Sequence, residues 1–190
     1  MVRSAADLIR QRGVSDTSLR DVVADARAPR GSLQHYFPRG KDELVAEALT
    51  WMAGVAARHV GRYADQIDPP IPSSLLKLMV DEWRTLFLTS GFDRGCPLVA
   101  ATADVVAWND DLRETVRRGF DAWLEPVAAA LVETGVPGER SESLALLIVG
   151  GLEGAIVIAR TRRDVTPLDT LVNELGPVLD SAVRLHRGGA

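Results

Sequence analysis

The stretch TSLRDVVADARAPRGSLQHYFPRGK, residues 17–41, limits what this chain folds into more than any other. Ser18 and Asp21 have the spacing of a capping box, which supplies acceptors to the orphan amides of a helix start and sets an acid near its positive end. Leu19, Val22, Val23 and Ala26 then recur at i, i+3, i+4 and i+7, giving one apolar face to lay on another helix. Pro29 suits the first turn of a second helix, because its missing amide is one that has no intrahelical partner, and that helix is expected over 30–36. Gly31 and Ser32 are small enough to let a backbone approach a groove, while Arg30, Gln34 and His35 carry donors and acceptors for base edges or phosphates. Phe37 and Pro38 stop the helix. Two short helices joined by a tight turn make a helix-turn-helix, the arrangement that places its second helix in the DNA major groove.

The remainder shows no repeat, low-complexity tract or strand-like alternation, so the whole chain is expected to be helical. Ala5, Ala6, Leu8 and Ile9 form the apolar side of a first helix ending near Gly13. A long helix runs from Lys41 to about Arg62, with Leu44, Ala48, Trp51, Met52, Val55 and His59 on one side; it opens beside the second short helix and is the expected mechanical link to the rest of the chain. With no flexible linker visible, the domain boundary is placed inside it, near residue 45. Further helices are expected at 73–90, from Pro97 to about Ala107, along Leu112, Val116, Phe120, Trp123, Val127 and Leu131 with a kink near Pro126, and at 167–185. The most apolar run, LALLIVGGLEGAIVIA at 144–159, spans about 24 Å as helix, short of the roughly 30 Å core of a bilayer, so no membrane span is expected. Gly150, Gly151 and Gly154 allow close helix approach, and Leu171, Leu175 and Leu179 of the last helix offer a partner surface. Apolar over so wide an arc, these two helices are expected to be buried in a two-fold homodimer.

The net charge of −4 argues at first against nucleic acid, but its distribution does not: residues 1–62 carry +3 and residues 63–190 carry −7. The positive end coincides with the helix-turn-helix, as an electrostatic footprint for DNA requires. The one cysteine, Cys96, excludes an intrachain disulfide, and with no signal-like N-terminal segment the expected compartment is the cytoplasm. Cys96 reads as a small buried residue at a helix start rather than a thiol sensor, since no second cysteine is there to resolve it. Glu153, inside the apolar run, is expected to pair with an arginine or reach solvent rather than stand as a buried ligand for a cation. No metal-ligand spacing, phosphate-cradling loop or local nucleophile-base set occurs, so neither an enzyme nor a cofactor is expected.

GSLQHYFPRGKDEL, preceded by TSLRDVVADA, resembles the DNA-binding signature of the tetracycline-repressor (TetR) family of bacterial regulators, and RGCPLVAATADVV at 94–106 is similar to its LmrA/YxaF-like branch. The resemblance implies an all-α fold: an N-terminal three-helix helix-turn-helix DNA-binding domain, residues 1–45, and a C-terminal helical ligand-binding and dimerisation domain, residues 46–190. It implies that Thr17, Tyr36 and Lys41 meet phosphates of double-stranded operator DNA and that the segment from Arg30 through Ser32 and Gln34 to His35 faces the bases. It further implies that the second domain encloses an effector cavity. Trp51, Met52, Val55, Trp83, Phe87, Phe92, Cys96, Phe120 and Trp123 would line that cavity and suit a hydrophobic or aromatic small molecule whose binding releases a repressor from DNA. Three departures from the family pattern stand out. Gln34 replaces a usual tyrosine, Arg27 holds a turn position where glycine is common, and MVRSAADLIRQRG stands in place of a full first helix and basic arm, which implies either weaker DNA binding than the family norm or a true start other than Met1. The competing expectations are an all-helical enzyme and an effector-independent DNA-architectural protein.

Overall fold

The computed structural model describes residues 1–29, 31–67 and 70–187, with side chains to residue 183. Among the described residues every regular element is a helix: α1 (Val2–Arg12), α2 (Leu19–Asp25), α3 (Ser32–Tyr36), α4 (Lys41–Ala64), α5 (Pro72–Ser90), α6 (Pro97–Asp104), α7 (Asp110–Glu133), α8 (Gly138–Arg162) and α9 (Thr166–Arg187). Packing divides them into two compact units. The first holds Met1–Val55 with Asp93–Asp121, and the second holds Ala56–Phe92 with Ala122–Ala190. The boundary drawn near residue 45 follows the chain, whereas packing adds the 93–121 segment to the unit that contains the helix-turn-helix. Both α4 and α7 pass unbroken from one unit into the other.

In the first unit the local signals work as their chemistry dictates. The Ser18 hydroxyl accepts from the Asp21 amide while the Asp21 carboxylate accepts from the Ser18 amide, completing the capping box that starts α2. Gly13 caps α1 at φ 85 with its amide returned to the Ile9 carbonyl at 2.9 Å. Arg27 takes the left-handed turn conformation, φ 50, after α2. Ala5, Ala6, Ile9, Val22, Leu33, Phe37, Leu44, Val45, Ala48 and Leu49 bury the apolar faces of α1 to α4. The second helix of the motif is shorter than expected. It begins at Ser32, and Pro29 lies ahead of it with its carbonyl accepting from the Ser32 amide at 3.0 Å. A polar lattice joins the 93–121 segment to the motif: Arg10 and Gly95 exchange two hydrogen bonds, of 3.0 and 2.8 Å, and the Asn109 side-chain amide donates to Asp42 at 2.9 Å.

In the second unit α9 is the organising element, packed against both α5 and α8. Asp180 accepts from the amide and the hydroxyl of Ser73, both at 2.9 Å, so it caps α5, and Arg84 on α5 pairs with Asp169 near the start of α9. Ile148, Leu152, Ile156, Leu168 and Leu179 are fully buried, each contributing about 1.5–3 kcal/mol by removal from water. Helix α8 is 25 residues long, nine more than the apolar run, because polar residues extend it at both ends. At about 37 Å it exceeds a bilayer core, which corrects the length argument made from the run alone. Its most apolar 18-residue window has a mean hydropathy of 1.9, and half of that window is buried within the chain. Pro126 lies inside α7 and Pro177 inside α9 without ending either helix.

Candidate nucleic-acid interface

Helix α3 presents Gln34, His35 and Tyr36 to solvent while Leu33 alone faces inward, and Tyr36 is 63% exposed. The division follows from the five-residue length: one apolar residue seats the helix and its neighbours project outward. Phe37, 5% exposed, and the Phe37 amide bonded to the Leu33 carbonyl at 2.7 Å pin the other end. The rings of His35 and Tyr36 meet edge to face at 5.0 Å, which orients the exposed pair. Gly31 precedes them in open space, with no atom of the described residues, its chain neighbours aside, within 4 Å of where a Cβ would stand, so the backbone there is open to a close approach. Ser32 turns its hydroxyl back onto the Pro29 carbonyl at 2.5 Å. Arg30 lies outside the described residues.

Two of the expected phosphate contacts are engaged within the chain. Lys41 opens α4 with its ammonium 3.2 Å from the Ser15 carbonyl. Thr17 is 3% exposed, and its hydroxyl donates to the Gly13 carbonyl at 2.7 Å. That geometry makes Thr17 a tie across the joint between α1 and α2. Arg12 and Asp21 pair at 2.8 Å over the same joint. The Asp21 carboxyl is held below its usual range, first by the Ser18 hydroxyl that donates to it and also by Arg12. Asp104, which the sequence pattern did not single out, accepts from the Val14 amide at 2.6 Å.

The residues expected around an effector fall in both units: Trp51, Met52, Val55, Cys96 and Phe120 in the first, Trp83, Phe87, Phe92 and Trp123 in the second. Within the second unit three come together. Phe87 stacks on Phe92 with centroids 4.9 Å apart and meets Trp83 at 5.8 Å, and the Phe92 carbonyl accepts from Arg160 at 3.3 Å. Phe87 is 1% exposed, whereas Trp83 and Phe92 are half-buried. Cys96 is buried at the start of α6, as the structural reading of it required, and Trp51 is exposed. A separate surface cavity of about 380 Å³, lined in part by Ile71, Thr134, Asp180 and Val183, contains none of the expected aromatics. His59 faces the Glu82 carboxylate at 2.6 Å, and the Tyr63 hydroxyl donates to the same carboxylate; burial and that carboxylate push the Tyr63 phenol upward. Glu153 is buried rather than solvated.

The dimer residues also separate. Gly150 and Gly154 are exposed with open space over them, but a Cβ on Gly151 would lie 2.9 Å from the Leu171 methyl of the same chain. Leu175 and Leu179 are buried within the second unit. The exposed apolar residues of α8 are Leu146, Leu147, Val157 and Ile158, which with Gly150 and Gly154 make one continuous stripe along the helix.

Comparison with known proteins agrees with this geometry. Residues 2–48 match the family model for bacterial regulatory proteins of the tetR family, and residues 72–174 match the model for the C-terminal domain of LmrA/YxaF-like transcriptional regulators. The chain is similar to the HTH-type transcriptional regulator Rv0196 of Mycobacterium tuberculosis, at 37% identity over 94% of this chain and 92% of that one. Among solved structures it resembles a TetR regulatory protein from Rhodobacter sphaeroides, with a TM-score of 0.81 at 22% identity over 93% of this chain and 95% of the other. It also resembles the Bacillus subtilis regulator FadR in complex with stearoyl-CoA, with a TM-score of 0.68 at 16% identity over 96% and 97%. These relatives are regulators and not enzymes. A capped helix-turn-helix matched over its whole length, joined to a helical second domain matched over 72–174, places the chain in the TetR family of bacterial transcriptional regulators, with the C-terminal domain of the LmrA/YxaF-like branch.

Proposed function

We propose that this protein is a cytoplasmic repressor that binds operator DNA as a homodimer through α3 and is released by a hydrophobic small molecule. The observation that carries the reading is the outward face of α3, where Gln34, His35 and Tyr36 project beside a bare Gly31 backbone. Gln34 and His35 read base edges, Tyr36 meets phosphate, and Lys41 exchanges its Ser15 carbonyl for a phosphate oxygen. Arg30 adds a cation at the start of the same segment. The DNA-binding segment is residues 1–45, and residues 46–190 hold the effector and the partner subunit.

The stripe of Leu146, Leu147, Gly150, Gly154, Val157 and Ile158 supports a second copy as the occupant of the exposed side of α8, in place of lipid. A two-fold axis there sets two recognition helices about 34–36 Å apart, one turn of DNA. The effector is read onto the Trp83, Phe87 and Phe92 cluster, whose two half-buried rings leave an aromatic edge for a planar apolar ligand. The full burial of Phe87 favours a second reading, in which this cluster is filled by its own side chains and the protein binds DNA without any effector.

Selection of operator sequences from random duplexes, followed by anisotropy titrations, tests the DNA reading. Replacing Gln34 or His35 is expected to change which operator is preferred, and replacing Lys41 to weaken all sequences alike and flatten the salt dependence. Equal affinity for every duplex offered sinks it. Quenching of tryptophan fluorescence by hydrophobic compounds that also release operator separates the effector reading from the effector-independent one.

A further inference from the structure

The carboxylate of Asp104, the last residue of α6, reaches back 90 residues in sequence to the joint between α1 and α2. One oxygen, Oδ2, accepts from two successive amides, Val14 at 2.6 Å and Ser15 at 3.1 Å. Both amides belong to turn backbone with no helical acceptor, so the carboxylate supplies what the joint lacks, as a charge-assisted bond. The fit is close. A Cβ at Gly13 would lie 2.4 Å from Asp104 Oδ2, so this joint needs glycine for the approach of the carboxylate as well as for its φ of 85°. The other polar groups of the joint are tied too: the Thr17 hydroxyl to the Gly13 carbonyl, and the Lys41 ammonium to the Ser15 carbonyl.

α2 begins four residues after Ser15, and α3 comes after it across the left-handed Arg27 turn. Elements this short take their direction from the segment that launches them. The two flanking ties, Arg10 with Gly95 and Asp42 with Asn109, bracket the same arrangement within the first unit but grip helices on either side of the motif rather than the joint itself. Asp104 is therefore the one side chain from the 93–121 segment seen to hold the joint among the described residues.

We infer that Asp104 is a positioning residue for DNA recognition: its carboxylate clamps the Val14 and Ser15 amides and so fixes the direction in which α3 is offered to the major groove. This rests on the reading of α3 as the recognition helix. The test uses the full-length protein with Asp104→Ala and the isosteric Asp104→Asn, whose amide oxygen still accepts. Amide exchange followed by NMR should show Val14 and Ser15 exchanging on the order of 10- to 100-fold faster in Asp104→Ala, with Asp104→Asn between it and the wild type. Well below the melting temperature, Asp104→Ala should lose on the order of tenfold in operator affinity while binding to random duplex and its salt slope stay at wild-type values, again with Asp104→Asn intermediate. A residue that only stabilises the unit would lower the melting temperature and leave the ratio of operator to random affinity unchanged; that result, or unchanged exchange at Val14 and Ser15, overturns the inference. Should Asp104→Ala fail to fold, Asp104→Asn carries both measurements. A wild-type protein that separates no operator from random DNA overturns the reading of α3 and this inference with it. Discrimination present in the wild type and equal in both variants overturns the inference alone.

Discussion

Arg27 holds a left-handed backbone, φ 50, at the turn of the helix-turn-helix, where a side chain costs about 1–2 kcal/mol. Arg27→Gly removes that strain but enlarges the freedom of the unfolded chain by about 0.4–1 kcal/mol, so the net gain lies between zero and about 1.6 kcal/mol. Thermal melts are expected to show a rise of about 3–6 °C at most, and a fall would mean that the arginine side chain compensates its own strain. Asp21 offers a second residue-scale prediction. Its carboxyl is depressed below the ordinary 3.8, chiefly by the Ser18 hydroxyl. Its stabilising contribution is therefore complete above that ordinary value and is lost as pH falls through the lower folded one. An NMR titration should place Asp21 below 3.8, and Ser18→Ala should return it toward that value while removing about 1 kcal/mol of cap. The Arg27 turn is marked only by the family resemblance, whereas the capping box could be read from sequence because Ser18 and Asp21 lie three residues apart. Asp104 could not, since its partners are 90 residues away and nothing near it in the chain announces them. The Thr17 tie is likewise not announced locally: the resemblance implies only a phosphate contact, and the fold uses the hydroxyl to close the joint.

At the scale of elements, α8 marks where periodicity stops being informative. The helix is apolar around most of its circumference, so the spacing of its hydrophobic residues does not say which face meets α9 and which stays open. Packing separates them: Ile148, Leu152 and Ile156 turn inward, while Leu147, Gly150 and Val157 remain exposed. The three glycines therefore do different work. Gly151→Arg forces a side chain against Leu171 of the same chain and is expected to destabilise the second unit by several kcal/mol, on the order of severe overpacking. Gly150→Arg has open space in the protomer, so it should leave the fold intact and convert the proposed homodimer to monomer. Light scattering with circular dichroism checks the pair. A folded, dimeric Gly150→Arg protein would remove α8 as the self-association surface. The proposed recognition helix, α3, shows a different limit. Pro29 suggested a helix over 30–36, but a proline carbonyl also closes a turn well, and here it takes the Ser32 amide just before α3 begins.

For the whole molecule, the relation between charge, ligand and DNA is one of linkage. Residues 1–62 carry +3 against −7 in the rest, so the net positive charge lies in the end that holds α3, and in the proposed switch the ligand acts on the presentation of that end rather than on net charge. α4 and α7 run without a break through both packing units, giving a ligand in the second unit two covalent routes to the first. A ligand lowers operator affinity only if it prefers the arrangement that DNA disfavours, and the operator must then weaken the ligand by the same factor. With a coupling of about 1–3 kcal/mol, both affinities change by about five- to 150-fold. Titrating a compound found by tryptophan quenching, with and without saturating operator, and titrating operator with and without saturating compound, should therefore return one ratio twice. Trp83→Ala should weaken the compound while leaving operator affinity in its absence unchanged, because that ring lies on α5, outside the unit that contains α3. A compound that binds tightly but returns a ratio of one in both titrations would leave the aromatic site standing and end its role as the switch.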